Sequence, residues 1–258
     1  MSNKKLSVVI PTLQKNVDLL VNLLATLEKD DVVDEIILID NSLKGLEYSS
    51  AKLRIITPEE NLFVNPSWNL GTKEAKNEIV ALLNDDIIIS DNLCSQVVAK
   101  MSQEMGCVGI NSSQYVKVTN VIKENNDNTE IILQPEKYMD IFWGIAIFFY
   151  KSSYVEIPES LKIVHGDTWL FEMNKKQGRQ NYFVNGQLIY HYGSLTHGLK
   201  IMNPICKKDR KLFDDMFYPW YKRIFYIEGR LNGIRMWLLG VKLILSFRKR
   251  KSLVNDTV

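Results

Sequence analysis

A polar triplet interrupts an otherwise apolar part of the sequence. Asn84, Asp85 and Asp86 lie between an apolar run that ends at Leu83 and another that begins at Ile87. Carboxylates are costly inside a buried strand, so the first strand is predicted to end at Leu83, with the triplet at its C-terminal edge. Ligands bind at that edge in open α/β sheets, and carboxylates together with a ligand's phosphates suit Mg2+ or Mn2+. The triplet therefore predicts a metal–diphosphate site, with a plain polar turn as the alternative.

A second polar stretch ends another strand. Residues 35–40 are an apolar run that closes with Asp40, followed by Asn41 and Ser42. The carboxyl ends of parallel strands meet at one edge of a sheet, so Asp40 and the triplet at 84–86 are expected to converge on one crevice.

The elements around these residues alternate between two periodicities. Apolar runs predict strands, whereas apolar residues at helical spacing predict amphipathic helices. Strands are predicted over 6–10, 35–40, 53–57 and 79–83, with helices over 16–29 and 66–78. This alternation predicts an α/β fold with a largely parallel sheet and helices on its faces.

The second half of the chain is less regular. It predicts a helix over 92–104, strands over 107–110 and 115–121, and a hairpin partner over 131–133. The apolar run at 141–150 contains Gly144, which indicates a bulge or a close approach of a ligand. Asp167 is predicted to cap a following helix, and short strands are predicted over 181–184 and 188–192.

Charge is distributed unevenly along the chain. Residues 201–258 contain 13 Lys and Arg against 5 Asp and Glu, a charge of +8, and the remainder of the chain is at −6. Apolar and aromatic residues recur at helical spacing over 221–251 among basic residues, which is typical of a helix at an anionic membrane surface. Packing against the domain or a second subunit is the alternative. Nucleic acid is not expected as a partner, because the aromatic residues follow helical core spacing.

Bulk composition narrows the class of protein. The chain has 258 residues, 46% of them apolar and 24% charged, which is ordinary for a globular domain. Its three cysteines, Cys94, Cys107 and Cys206, are scattered, so a reducing compartment is expected rather than disulfides or a zinc site. We expect neither a secretory leader nor a membrane-spanning helix, since no apolar run reaches 18 residues.

The order of these stretches resembles the family 2 glycosyltransferases with the GT-A fold, in particular a rhamnosyltransferase-like branch that builds bacterial surface polysaccharides. The resemblance rests on six stretches over residues 6–220: Val8-Val-Ile-Pro-Thr12, Ile39-Asp-Asn-Ser42, Asn61 with Asn69-Leu-Gly71, Leu83-Asn-Asp-Asp86, Gly166-Asp167 and His191-Tyr-Gly-Ser-Leu-Thr196. It implies an α/β/α sandwich over 1–220. The basic segment over 221–258, predicted to be helical from its own pattern, lies outside the resemblance.

The resemblance also implies roles for individual residues. The nucleotide would contact Pro11, Thr12, Asp40, Asn61, Asn69 and Asp85. Asp86 and His191 would hold Mn2+ or Mg2+, with Asn84 in the first position of the family's metal motif. Asp167 would be the catalytic base of an inverting enzyme, although Gly166 stands where the family often has an acidic residue. Trp143 and Gly144 would cradle the donor or acceptor sugar.

The activity implied is transfer of a hexosyl or deoxyhexosyl group from a nucleotide-diphosphate sugar to a hydroxyl of a glycan, expected to be lipid-linked. The expected location is the cytoplasm, at the inner face of the membrane. A sugar-1-phosphate nucleotidyltransferase is disfavoured, because residues 11–15 lack the Gly-rich loop that such enzymes have. A catalytically degenerate sugar- or membrane-binding module of the same fold is the remaining alternative.

Overall fold

The computed structural model describes residues 4–118, 124–136, 142–193 and 202–217. Side chains of four residues within these ranges, Ser112, Phe142, Trp143 and Met202, are not described. In chain order the elements are β1 (Leu6–Thr12), α1 (Val17–Lys29), β2 (Val33–Asp40), β3 (Leu53–Ile56), α2 (Val64–Glu74), β4 (Ile79–Leu83), β5 (Ile87–Ile88), α3 (Leu93–Lys100), β6 (Val108–Asn111), β7 (Tyr115–Lys117), β8 (Ile132–Pro135), β9 (Phe142–Tyr150), α4 (Gly166–Lys176), β10 (Tyr182–Asn185), β11 (Ile189–His191) and α5 (Met202–Phe217).

Eight of the strands form one sheet in the order β3-β2-β1-β4-β9-β6-β10-β8. Strands β3, β2, β1 and β4 are parallel, and so are β6 and β10, whereas β9 runs antiparallel between β4 and β6. The predicted mostly parallel sheet is confirmed. Its central strand β4 is apolar along its whole length, as expected for a strand whose two faces are both covered.

Helices cover the two faces of the parallel half. Val8 and Ile10 of β1 belong to one core cluster with the buried leucines of α1, among them Leu20 and Leu24. Val9 points to the opposite face, where α2 approaches so closely that a Cβ on Gly71 would lie 2.2 Å from Val9 Cγ1. The α/β layering expected from the sequence is therefore present.

A second, three-stranded sheet has the order β5-β11-β7. Strand β11 is antiparallel to β5 and parallel to β7. This small sheet begins directly after Asp86, so it extends the edge of the main sheet at which the polar triplet emerges.

Four sequence predictions need correction. The hairpin predicted between 115–121 and 131–133 is wrong, because β7 pairs with β11 and β8 pairs with β10. The second helix ends at Glu74 rather than at residue 78, and the third ends at Lys100 rather than at residue 104. The prediction that Asp167 caps α4 is wrong: His165 is the cap residue, and Asp167 lies in the first turn.

Contacts divide the chain into two compact units, residues 1–210 and 211–258. Of the second unit the structure describes 211–217, the last part of α5. The predicted boundary at 220 and the predicted helix over 221–251 lie outside the described residues. Within those described, no helix is both long and apolar enough to cross a membrane.

Candidate active site

A cavity of about 520 Å3 opens at the C-terminal edge of β1 and β4. Eight of the predicted site residues line it: Pro11, Thr12, Asn61, Asp85, Asp86, Gly144, Asp167 and His191. Asp40 and Asn69 are not among its lining residues, and the side chain of Trp143 lies outside the described part. The structure thus brings together residues that are up to 180 positions apart in the sequence.

Asp86 and His191 face each other on the cavity wall. The Oδ1 atom of Asp86 lies 3.2 Å from His191 Nε2, and both side chains are almost fully buried. Neither atom has a hydrogen-bond partner within the described structure. Burying a carboxylate oxygen and an imidazole nitrogen without hydrogen bonds is energetically unfavourable unless a bound ligand interacts with them.

The small sheet fixes this pair. His191 is opposite Ile87, the residue after Asp86, in the antiparallel ladder of β11 and β5. The backbone N–H of Tyr192 donates to the carbonyl of Asp86 over 2.9 Å. The ring of Tyr115 meets the His191 imidazole edge-on, with ring centroids 5.3 Å apart. The imidazole is therefore held against the carboxylate by strand pairing and by a neighbouring ring.

These two side chains fit a divalent cation as protein ligands. Carboxylate oxygen and imidazole nitrogen both suit Mn2+, and Mg2+ or Mn2+ commonly takes one or two protein ligands with a substrate's phosphates. No group of three or more His, Cys, Asp or Glu that could hold a metal occurs in the ranges the structure describes. A cation held by two protein ligands would have positions left for phosphate oxygens and water.

Asp85 lies beside this pair and faces β1. Its Oδ2 accepts a hydrogen bond of 2.6 Å from Thr12 Oγ1, which itself accepts the N–H of Gln14. Burial raises the pKa of Asp85 to about 6, and the nearby charge of Asp86 acts in the same direction. The Thr12–Asp85 bond joins the ends of β1 and β4, so both residues are placed on the same wall of the cavity.

Asp167 lies across the cavity, in the first turn of α4. Its Oδ1 accepts the backbone N–H of Thr168 over 2.7 Å, and burial raises the pKa of the carboxyl to about 6. The carboxylate packs against Gly144, where an added Cβ would lie 3.1 Å from Asp167 Oδ2. Gly144 has φ +62°, and the pairing of β9 with β6 shifts register in this part of the strand. The bulge expected at Gly144 is therefore present, and it makes room for Asp167.

Gly166, the departure from the family pattern, has a steric explanation. A Cβ at this position would lie 2.1 Å from Asn65 Oδ1 and 3.0 Å from the ring of Trp68. Asn65 is fully buried and donates from Nδ2 to the carbonyl of Val164. The side chain of Asn65 thus fills the space that a residue larger than glycine would need.

The structure gives Asp40 a different place from the predicted one. Its carboxylate is fully buried and accepts the N–H groups of Ser42 and Gly45 and the hydroxyl of Ser42. These bonds hold the turn after β2, and it is the next residue, Asn41, that lines the cavity. A strand-end aspartate whose oxygens bind its own turn is a frequent arrangement, which the sequence did not distinguish from a ligand contact.

The two asparagines of the second helix region differ. Asn61 lines the cavity and accepts the N–H of Phe63. Asn69 instead binds the segment after β9: its Nδ2 donates to Ile157 O, and its Oδ1 accepts from the Tyr154 hydroxyl and the Ile157 N–H. With its amide group occupied in this way, Asn69 connects α2 to residues 154–157 rather than lining the cavity.

Sequence reasoning missed several lining residues. They are two aromatic residues, one lysine, one histidine and one arginine: Phe63, Trp68, Lys117, His165 and Arg210. Lys117 is paired in register with His191, so parallel pairing of β7 with β11 brings it to the site. No local signal marks such a residue, because the pairing joins segments more than 70 positions apart.

Comparison with known proteins agrees with this arrangement. A model of glycosyl transferase family 2 matches residues 7–176. S. aureus TarS 1-349 in complex with UDP-GlcNAc is 17% identical with a TM-score of 0.54, over 79% of this chain and 66% of that chain. The mannosyltransferase PcManGT from Pyrobaculum calidifontis, in complex with GDP-Man and Mn2+, is 13% identical with a TM-score of 0.51, over 74% and 58%. No match was found among curated protein sequences.

At these identities the solved structures establish the fold, and the predicted GT-A architecture is confirmed. The chain spans less than two thirds of the length of either structure. Asp85, Asp86 and Asp167 all lie within the residues matched by the family model. Since that match covers more than half of the sequence, the chain belongs to glycosyl transferase family 2.

Proposed function

We propose that this chain is a metal-dependent, inverting glycosyltransferase. It would move one hexosyl or deoxyhexosyl group from a nucleotide-diphosphate sugar to a hydroxyl of a glycan. One observation carries the proposal: the unbonded Asp86–His191 pair and the Asp167 carboxylate open onto the same cavity. The first can hold a cation on a diphosphate, and the second can receive a proton.

The nucleotide would lie against the ends of β1, β2 and β4. Pro11, Thr12, Asn41, Asn61 and Asp85 line this part of the cavity. Amide and carboxylate groups can read a base edge or ribose hydroxyls, whereas the apolar ring of Pro11 gives a flat surface for packing. The solved neighbours support this class of donor, since one holds UDP-GlcNAc and another holds GDP-Man with Mn2+.

Asp86 and His191 would hold the cation, which when bound neutralises negative charge on the departing diphosphate. The diphosphate would then lie at the Asn84–Asp86 edge of the cavity, next to Asp85 and Thr12. The proposal covers both Mn2+ and Mg2+, because the carboxylate suits either and the imidazole suits Mn2+.

Asp167 would act on the acceptor. Its carboxylate takes the proton of the acceptor hydroxyl while that oxygen forms a bond to the anomeric carbon. The bond from the anomeric carbon to the diphosphate oxygen breaks at the same time, and the nucleoside diphosphate leaves with that electron pair. With a pKa raised to about 6, Asp167 is ionised at neutral pH and is a stronger base than an ordinary carboxylate.

For the acceptor we propose a lipid-linked glycan at the cytoplasmic face of the membrane, in polysaccharide synthesis. The support is the +8 charge of residues 201–258 and the amphipathic pattern over 221–251. Basic residues near apolar and aromatic ones favour anionic headgroups.

The proposal is tested by calorimetric titration of UDP, dTDP and GDP into the full chain, with and without Mn2+. We expect one nucleotide to bind only with Mn2+, and Asp86→Ala to abolish that binding. Asp91→Ala is the matched control, because Asp91 is an exposed carboxylate nearby that pairs with Lys29. Metal-independent binding, or equal binding by Asp86→Ala, would refute the metal assignment. Absence of nucleotide binding by the folded chain would favour the degenerate binding module.

A further inference from the structure

One buried carboxylate of α5 binds the loop that leads into α4. Asp209 is fully buried, and its Oδ2 accepts three consecutive backbone N–H groups: Lys162 over 3.1 Å, Ile163 over 2.6 Å and Val164 over 3.1 Å. Bonds from N–H groups to a carboxylate are stronger than bonds between neutral groups. Three of them on one oxygen define the position of the loop relative to α5.

The same loop is held from its other side by α2. The backbone N–H of Asn65 donates to Lys162 O over 3.0 Å, and its Nδ2 donates to Val164 O over 3.2 Å. Five backbone groups of residues 162–164 are thus bound by two side chains and one N–H from different helices. The N–H groups go to Asp209 and the carbonyls go to Asn65.

This loop sets where α4 begins. Directly after Val164, the chain turns through His165, which has φ +66°, and α4 starts at Gly166. Asp167 is therefore three residues from the last N–H that Asp209 binds. The first turn of α4 is also closely packed, because Asp167 packs on Gly144 and Gly166 packs on Asn65.

The charge of Asp209 is costly for a purely structural contact. Its second oxygen, Oδ1, is buried and has no hydrogen-bond partner within the described residues. An asparagine of almost the same shape would present one acceptor oxygen to the same N–H groups without burying a charge. What the carboxylate adds is stronger bonds to the loop.

We propose that Asp209 is a positioning residue for Asp167: by binding the N–H groups of residues 162–164, it fixes the start of α4 so that the base faces the acceptor side of the cavity. This inference rests on the proposed role of Asp167. It assigns Asp209 no contact with substrate.

The test compares Asp209→Asn, Asp209→Ala and Asp214→Asn in the full chain. Asp214 is an exposed carboxylate on the same helix and controls for loss of charge from α5. Amide hydrogen exchange gives a readout that needs no substrate. We expect exchange over residues 162–169 to rise about tenfold in Asp209→Asn, because neutral bonds replace charge-assisted ones, and exchange in α1 to stay unchanged.

Turnover is measured as release of UDP from UDP-GlcNAc and of GDP from GDP-mannose with Mn2+, with water as the acceptor of the sugar. The rate is divided by the number of nucleotide sites found by calorimetry. We expect the nucleotide Kd to stay within about twofold while kcat per site falls about tenfold in Asp209→Asn and about a hundredfold in Asp209→Ala. A partly unfolded preparation would lose sites without losing kcat per site. Asp214→Asn should match the wild type in both quantities.

Unchanged exchange over 166–169 in Asp209→Asn would overturn the inference, whichever sugar nucleotide the protein uses. A weaker nucleotide Kd in proportion to kcat would do the same, since it would indicate a general distortion of the cavity. If Asp209→Ala does not fold, the nearly isosteric Asp209→Asn decides. A wild-type protein that binds nucleotide but turns over neither donor, with exchange as expected, would count against the proposed function and leave the loop contact established.

Discussion

Replacing Asp167 with Asn should abolish transfer and make the protein more stable. Asn keeps the oxygen that accepts the Thr168 N–H, so the start of α4 should be preserved. What it removes is a carboxylate whose ionised form is disfavoured by burial. A residue kept for chemistry at the expense of the fold should show both effects in one variant.

The size of the gain follows from the pKa. Folding raises the pKa of Asp167 from its ordinary value of 3.8 to about 6. The difference is about 2.2 pH units at about 1.4 kcal/mol each, so the ionised group costs the folded state up to about 3 kcal/mol. The side chain is partly exposed to the cavity, and screening there lowers the expected gain to about 1–3 kcal/mol.

The direction of this pKa shift also determines how the free energy of unfolding depends on pH. Because the folded pKa lies above the unfolded one, the folded protein binds the extra proton between these two values, and wild-type stability falls as pH rises from about 4 to about 6. The gain in Asp167→Asn should therefore be complete at pH 8 and shrink to about a third at pH 4.5. Urea unfolding at both pH values measures it.

Asp127 provides a control of opposite sign. Hydrogen bonds from the Thr129 side chain and from the N–H of Leu188 lower its pKa, so Asp127→Asn should lose stability at pH 8. The reasoning would be refuted if Asp167→Asn were less stable than the wild type at pH 8, or if its gain were the same at pH 4.5. Retained transferase activity in Asp167→Asn would refute the assignment of the base.

Two further substitutions test the other walls of the cavity. His191→Ala should raise the Mn2+ concentration needed for nucleotide binding at least about tenfold, as measured by calorimetric titration of Mn2+ at saturating nucleotide, and an unchanged requirement would exclude His191 as a ligand. Gly144→Ala should lower the free energy of unfolding by about 2 kcal/mol, since it adds strain at φ +62° and a Cβ against the Asp167 carboxylate, and it should also reduce kcat. Gly178→Ala, at φ +75° in open space, measures the backbone strain alone, and equal losses in the two variants would show that contact with Asp167 is unimportant.

The parallel half of the sheet could be predicted because burial on both faces gives a local signal. Strand β4 was predicted with the bounds it has, and β1 and β2 within a few residues, since each is dominated by an apolar run. The polar residues that follow these runs lie at the strand ends by necessity. The positions of Asp85 and Asp86 were therefore accessible from sequence alone.

What could not be predicted depends on pairing between distant segments. Strand β8 is short and pairs with β10, about 50 residues later, whereas a local hairpin was the simpler expectation. Helix α5 has charged residues through most of its length and was not predicted, although Asp209 and Arg210 both lie on it. For Asp40, residue type and position at a strand end were identical to those of a ligand contact, and only the contacts of its oxygens decided between the two.

Buried carboxylates outside the proposed metal site bind the chain through at least one oxygen within the described residues. Asp30 accepts bonds from Ser95, and Glu35 accepts from Ser7 Oγ and the N–H of Lys76. Asp209 Oδ1 has no partner, but Oδ2 of the same carboxylate accepts three N–H groups. Glu136 Oε1 has no hydrogen bond but lies 2.6 Å from the Lys175 ammonium.

The facing atoms of Asp86 and His191 have neither a hydrogen bond nor a lysine ammonium beside them among the described residues. These atoms are buried and 3.2 Å apart. The pairing of β11 with β5 holds the backbone beside both residues in place. Without a cation, a proton on His191 Nε2 would let the imidazole donate a hydrogen bond to the Asp86 carboxylate. Binding of a divalent cation must displace that proton. Because metal ligands bind in their unprotonated form, nucleotide binding that depends on Mn2+ should weaken as pH falls.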